Sequence, residues 1–397
     1  MRILNLNKNG FNKLKANHRE LKVTDLDDSI KSIPPGAWCF FKLNGGTECW
    51  FGFVNPRIEE KYSCIQVLGL IDAPSIEKFS AENYISTALE TALNKRRKFK
   101  RYNQGARLVY GSVDGLPGLI LDCFTNAAII QINTAGLDQF RDLINEKVSK
   151  LLGCKSYFLD NPKYREKEFL PTYEVSKIPS LEVEENGLKY FLRSEVIQKV
   201  GFYYDHRENR LALSNILERL DIKKELGIDL FCYAGSWGLN ALKGGASYFE
   251  FVDQGDFAEE VEQGLRLNQF QNRGQFIRKD VFKYLDELIA SGKKYNMVLC
   301  DPPAFAKSQN HKTQALEGYS KLHRKVFKIA APGSLCVFSS CTHYVSHEEF
   351  QKNILDAAAK ENKKVQLLYT GIQGWDHPIQ SLEDKSNYIK SYFYLLE

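Results

Sequence analysis

The chain is 397 residues long, 43% hydrophobic and 26% charged, which suits two or three globular domains and excludes low-complexity and membrane-embedded classes. Its net charge of +5 is mild, so a nucleic-acid site would have to be a local patch rather than a basic coat. Nine cysteines without a C-x-x-C pair argue against zinc ribbons and disulfide scaffolds, and MRILNLNKNG lacks a signal-peptide core, so a cytoplasmic protein is expected.

Residues 1–72 read as short strands, Gly36–Leu43, Cys49–Val54 and Tyr62–Leu68, separated by Gly, Pro and Asn in the manner of a small β-barrel. The stretches GFVNP (52–56) and CIQVL (64–68) resemble the end of a PUA domain, a small RNA-binding barrel; a generic β module has the same pattern. A helix beginning near Phe79 then runs into Lys95, Arg96, Arg97, Lys98, Lys100, Arg101 and Arg107, with no acid between Ala92 and Arg107. Phe99 and Tyr102 interleave the cations. Such a run either tracks phosphates, with Lys95, Arg96, Arg97 and Lys98 as the candidate RNA contacts, or is a solvated helix end.

RLVYGSVDGLPGLILD (107–122) is two strand-like runs around an Asp-Gly-Leu-Pro-Gly turn. A strand at Ala127–Asn133, an amphipathic helix at Gly136–Leu152 and strands at Tyr157–Leu159 and Leu188–Leu192 complete an α+β insert. Together with QKVGFYYDHRENR (198–210), the Gly227 region, DPPAF (301–305) and SSCT (339–342), this stretch resembles the bacterial 23S ribosomal RNA cytosine-5 methyltransferases. The resemblance implies a PUA-like barrel over 1–72, a central α+β domain over 73–187, and a class I S-adenosylmethionine-dependent methyltransferase domain over 188–397. That last domain is a doubly wound, Rossmann-like α/β fold. By the same resemblance, Gln198, Asp205, Arg207 and Asn209 face the cofactor, while His206 stands where the family usually has Gln. Read by itself, Asp205 is a helix N-cap with Glu208 completing a capping box.

Gly227–Asp253 reads as strand, glycine turn, helix (Leu239–Lys243, stopped by Gly244-Gly245) and a second strand ending in Asp253. In a doubly wound sheet an acid at that edge binds ribose hydroxyls. The turn offers only Gly235 and Gly238, without the G-x-G-x-x-G of dinucleotide sites or the Gly-Lys-Ser/Thr of a P-loop, so a cofactor with a ribose and no phosphate fits, as in class I methyltransferases. An ordinary strand–helix turn with a surface acid has the same residues. The resemblance implies Asp229, Phe231, Tyr233, Ala234, Gly235 and Asp253 around this cofactor, then Asp280 at the adenine amine and Phe282 beside the ring. Asp280 is equally placed to cap the following helix.

Tyr295–Cys300 is an apolar strand running into Asp301-Pro302-Pro303-Ala304-Phe305, where two prolines stiffen a loop at the sheet edge. DPPAF resembles the catalytic loop of nucleobase methyltransferases, which implies Asp301 at the base edge and, with Pro302, beside the cofactor, and Phe305 against the nucleic acid. Asp301 could accept from a cytosine amine or from uracil N3–H. The strand Leu335–Ser340 ends in Cys341. C5 of a pyrimidine is a poor nucleophile until a thiolate adds at C6, so a thiol at this edge points to covalent catalysis. The family's catalytic Cys has the same Ser-Ser-Cys setting. Cys300 is read as core, Cys341, His343 and His347 fit no common zinc spacing, and the role of Asp376-His377-Pro378 stays open.

The expectation is therefore an S-adenosylmethionine-dependent RNA methyltransferase forming 5-methylcytosine in 23S ribosomal RNA, with no metal or membrane partner and a homodimer left open. A methyltransferase acting on guanine or an exocyclic nitrogen, and a non-catalytic RNA-binding protein, are the alternatives.

Overall fold

The short apolar runs near the N-terminus form a five-stranded sheet in the order Arg2–Leu6, Ala37–Leu43, Cys49–Val54, Ile65–Ile71 and Glu20–Leu21. The first pair is parallel, with Leu4 opposite Phe41; the others are antiparallel. Leu4, Leu6, Phe41, Trp50, Val54 and Ile65 fill its core. The computed structural model describes the chain except Arg101, residues 174–177, Val200, Lys307 and Lys385, and the side chains of Gln198 and Lys199.

A second sheet follows, Ala106–Tyr110, Leu119–Cys123, Ala127–Ile132 and Lys155–Phe158, accompanied by helices Ala81–Arg96 and Arg141–Leu152. The helix expected over 136–152 is two, Ala135–Asp138 and Arg141–Leu152; at the break Asp138 forms a buried ion pair with Arg165 at 2.9 Å. Trp38 joins this region to the N-terminal sheet: its indole N–H donates to the Gly136 carbonyl at 3.0 Å, amid Phe53, Phe79, Tyr84 and Phe140. A Cβ on Gly136 would lie 2.1 Å from the Phe53 ring, so only glycine allows the approach. Residues 1–178 accordingly form one unit by their contacts and 179–397 the other. The sequence reading opens the second domain at Leu188. In the structure Leu181–Glu185 pairs antiparallel with Leu188–Leu192, and this hairpin carries the division back to Pro179.

The second unit holds a seven-stranded sheet in the order Gly274–Arg278, Tyr248–Asp253, Leu226–Leu230, Tyr295–Cys300, Ala330–Ser340, Lys390–Leu396, Val365–Gly371. The first five strands are parallel and the last two antiparallel to their neighbours. Continuous burial on both faces explains why the central strands read as unbroken apolar runs. Chain order reverses between Leu226–Leu230 and Tyr295–Cys300, and the crevice at the carboxyl ends there is where such sheets bind ligands. Leu230 pairs with both Val252 and Cys300, and Cys300 with Phe338, so Phe231, Asp253, Asp301 and Cys341 all leave the sheet at one edge.

Candidate active site

At this edge lies a cavity of about 560 Å³. Of the residues singled out in the sequence, Asp205, Phe231, Tyr233, Asp253, Asp280, Phe282, Asp301, Pro302, Phe305 and Cys341 line it. The turn between strand Leu226–Leu230 and the helix after it is tighter than the glycines suggest. Phe231 and Tyr233 both take left-handed backbone angles, φ 62° and 49°, alongside Gly235 at 74°. Side chains resist that region at roughly 1–3 kcal/mol each, a strain that concentrates at binding sites. The bend puts the Tyr233 N–H on Asp253 Oδ2 at 3.1 Å, while Gly255 N–H donates to Oδ1 at 2.8 Å. The helix begins at Ser236, not Leu239, because Gly235 already turns the chain and Gly238 sits against Phe251, where a Cβ would come within 2.3 Å.

Several expected cofactor contacts stand behind the lining instead. Asp229 is fully buried, its Oδ2 accepting from Gly238 N–H at 2.9 Å, and burial pushes its pKa up to about 8. It holds the turn from beneath. Ala234 and Gly235 contribute turn backbone rather than lining side chains. Arg207 is bound to Asp376 at 2.9 Å and stacks over Trp375, which gives Asp376-His377-Pro378 a structural task. Asn209 is buried and donates to the Ile372 carbonyl at 3.0 Å. Gln198 lies on helix Ser194–Lys199, with its side chain outside the described residues. The capping box at Asp205 does not form: the helix starts at Arg207, and Asp205 Oδ2 accepts from the Tyr388 hydroxyl at 2.8 Å. Asp280 does cap its helix, accepting from Lys283 N–H at 3.0 Å, and also lines the cavity.

Asp301 is held by the Trp237 indole, whose N–H donates to Oδ2 at 2.9 Å, and its Oδ1 lies 3.5 Å from His206 Nε2. Phe305 stacks on Tyr319 with centroids 4.6 Å apart, and Thr342 Oγ1 donates to the Ala306 carbonyl at 3.2 Å, tying the DPPAF loop to the Cys341 loop. Burial raises the Cys341 thiol to about 12, and the Asp301 and Asp205 carboxylates add to the shift. Cys341 is therefore a protonated thiol at rest. Buried Lys390 donates to the Thr342 carbonyl at 2.5 Å and the Tyr388 carbonyl at 3.1 Å; burial lowers its pKa to about 8, opposed by Cys341 and Glu349. The helix after this loop begins at the predicted box, Ser346 with Glu349.

Trp237, Tyr203, Phe257 and Tyr388 line the cavity without having been singled out; Tyr203 and Trp237 sit inside stretches read for other residues, and Phe257 and Tyr388 in none. Trp237 and Tyr388 meet their partners across 64 and 183 residues, a distance only the fold closes.

In the first unit the cationic run divides. Arg96 is a correction: it is 2% exposed, and its guanidinium grips Asp114 through bonds of 2.7 and 2.9 Å. The acid missing from the local sequence arrives from the next turn. Lys95 leans on the same carboxylate at 3.4 Å, and Arg107 is paired with Asp122 at 2.8 Å. Arg97, Lys98 and Lys100 are exposed; Arg101 lies outside the described residues.

A family model for S-adenosylmethionine-dependent methyltransferases matches residues 158–366. A ribosomal RNA large subunit methyltransferase I from Aeromonas hydrophila is 34% identical over 295 residues, covering 72% of this chain and 73% of its own. The protein of that name from Aliivibrio fischeri (strain MJ11) is 31% identical over 296 residues, covering 72% and 74%. Among solved structures, a candidate methyltransferase from Streptococcus mutans has a TM-score of 0.75 at 19% identity over the whole of both chains. Another candidate methyltransferase, complexed with SAH, has a TM-score of 0.76 at 18% identity, again over all of both chains. At these identities the two structures speak for the fold.

Proposed function

We propose a reaction for a chain that belongs to the S-adenosylmethionine-dependent methyltransferase family: methylation of C5 of a cytosine in 23S ribosomal RNA through a covalent bond between Cys341 and C6. One observation carries the reading. A thiol and a carboxylate anchored by an indole leave neighbouring strands at the same sheet edge and line one cavity.

The donor set fits S-adenosylmethionine: half-buried Asp253 at the end of strand Tyr248–Asp253 for ribose hydroxyls, and Asp280 with Phe282 just after strand Gly274–Arg278 for the adenine. When bound, the cofactor supplies the methyl group as an electrophile. Cys341 loses its proton and its sulfur adds to C6, which makes C5 enamine-like and nucleophilic; after methylation, loss of the C5 proton returns an electron pair that breaks the C–S bond. Asp301 Oδ1 accepts an N–H of the base, oriented by the Trp237 bond to Oδ2. Phe305, fixed on Tyr319, offers a ring face beside the loop.

In the first unit, residues 1–72 are read as a PUA-like barrel and the segment after them as the central α+β domain. The five-stranded sheet and the exposed cations Arg97 and Lys98 support a role in holding RNA. A second reading, methylation of an exocyclic nitrogen, draws on the resting state of Cys341, a thiol kept protonated by burial. Mapping methylated nucleotides in ribosomal RNA from a deletion strain and its complemented parent separates the two. Loss of one 5-methylcytosine supports the covalent reading; loss of an N-methylated base replaces it with the second.

A further inference from the structure

His206 is a buried ring held at the cavity from several sides. Its ring is 3% exposed, lines the cavity and packs against Trp237 with centroids 5.3 Å apart. Its tautomer follows from its neighbours. The Ile372 carbonyl can only accept, so the Asn209 atom facing it at 3.0 Å is the amide nitrogen. The same nitrogen lies 3.2 Å from His206 Nδ1, and Asn209 Oδ1 takes the Tyr369 hydroxyl at 3.3 Å. Nδ1 is thus an acceptor, and the ring proton sits on Nε2. The arrangement is tight: a Cβ on Gly371 would fall 1.9 Å from Asn209 Oδ1.

The ring lines the cavity, and Nε2–H has no hydrogen bond among the described residues; the nitrogen itself is buried, so a base reaches it only when the cavity wall gives way beside it. Leaving a buried donor unpaired is costly unless a ligand completes it. The group beside it is Asp301 Oδ1 at 3.5 Å, too far for a good bond between the two but close enough for them to stand side by side. We propose that His206 is a specificity-determining residue: its Nε2–H donates to N3 of the target cytosine while Asp301 Oδ1 accepts from the exocyclic amine. This rests on the cytosine reading above and extends it. A carboxylate by itself takes an N–H from cytosine or from uracil. With the ring placed by Cys341 at C6, a donor next to the acceptor matches the N4–H and N3 of cytosine. In uracil the same two positions present an acceptor and a donor, and both contacts become repulsive.

The test uses the full-length chain and RNA carrying either cytidine or 3-deazacytidine, which lacks the N3 acceptor, at the mapped target nucleotide. Single-turnover methyl transfer is measured for wild type, for His206→Phe and His206→Leu, which both lack the donor, and for His206→Gln, which keeps an N–H. The preference of wild type for cytidine should exceed that of the two donorless variants by roughly ten- to a hundredfold, because the intrinsic effect of the deaza ring cancels in the ratio. His206→Gln should restore part of it, and S-adenosylmethionine affinity by calorimetry should be unchanged throughout. Equal preference in wild type and whichever donorless variant folds would overturn the proposal. So would a fall in cofactor affinity that accounts for the rate loss, which would put His206 on the cofactor. If wild type transfers no methyl to C5 of any cytosine, the cytosine reading has failed first and this inference falls with it.

Discussion

Arg96 and Asp114 in the first unit, 2% and 0% exposed, spend their charges on each other, and Arg165 does the same with Asp138. In the second unit Asp301 keeps Oδ1 turned to a cavity, His206 keeps a spare N–H, and Cys341 keeps a proton it has to lose in order to react. Both regions bury ionisable groups, yet these two pairs are closed while the three cavity groups keep valences open. A charged residue in a sequence says little about function until its partner is known, because a buried ion pair and a ligand site can use the same residue types.

The comparison breaks first where charge is fully paired. Asp114→Ala strands the Arg96 guanidinium in the interior and should cost about 3–5 kcal/mol of stability in urea unfolding followed by circular dichroism. A drop below about 1 kcal/mol would mean that Arg96 reaches water and remains open to phosphate. In the other unit, Asp253→Ala removes the acceptor of two turn N–H groups as well as the expected ribose partner, so it should cost about 1–3 kcal/mol of stability and weaken S-adenosylmethionine binding by about 1.5–3 kcal/mol in calorimetry. Unchanged affinity in the folded variant would remove Asp253 from the site.

Cys341 supplies a test by pH. Its thiol is raised to about 12, so the reactive thiolate is scarce near neutrality and its fraction grows about tenfold for each unit of pH until that value is reached. Alkylation of Cys341 by iodoacetamide in the cofactor-free chain, followed by peptide mass spectrometry, should therefore climb from about pH 6 to about pH 9 with no plateau. A plateau near neutrality would show a thiolate already formed at rest. The smallest effect belongs to the exposed cations. Replacing Arg97 and Lys98 together by Glu should lower the slope of log affinity for RNA against log salt by roughly 0.7 for each single-strand phosphate that the variant no longer neutralises. An unaltered slope would make this helix end merely solvated.

Much of the second unit is legible in its sequence because parallel strands are buried on both faces and end in polar residues at one edge. Asp253, Asp301 and Cys341 could be placed there from three apolar runs and their terminators. What stayed hidden has physical causes. The left-handed bend at Phe231 and Tyr233 is invisible to a rule that looks for glycine, since surrounding packing rather than residue type enforces it. Asp205 satisfies the local pattern of a capping box, but the Tyr388 hydroxyl, 183 residues away, claims its carboxylate. Arg96 looks free for the same reason: sequence shows neighbours along the chain, and Asp114 is a neighbour only in space. The fold also supplied a role for Asp376, as the partner of Arg207 across 169 residues.

The central claim is that Cys341 bonds to C6 of a cytosine. RNA with 5-fluorocytosine at the target, incubated with S-adenosylmethionine and the full-length chain, tests it directly, because fluorine at C5 cannot leave as a proton does and the thiol is not expelled. Wild type should migrate as a covalent protein–RNA complex on a denaturing gel, with the adduct on the Cys341 peptide, while Cys341→Ala binds the cofactor and gives none. Free wild-type protein, alongside methyl transfer by Cys341→Ala to the unmodified RNA, would contradict the account.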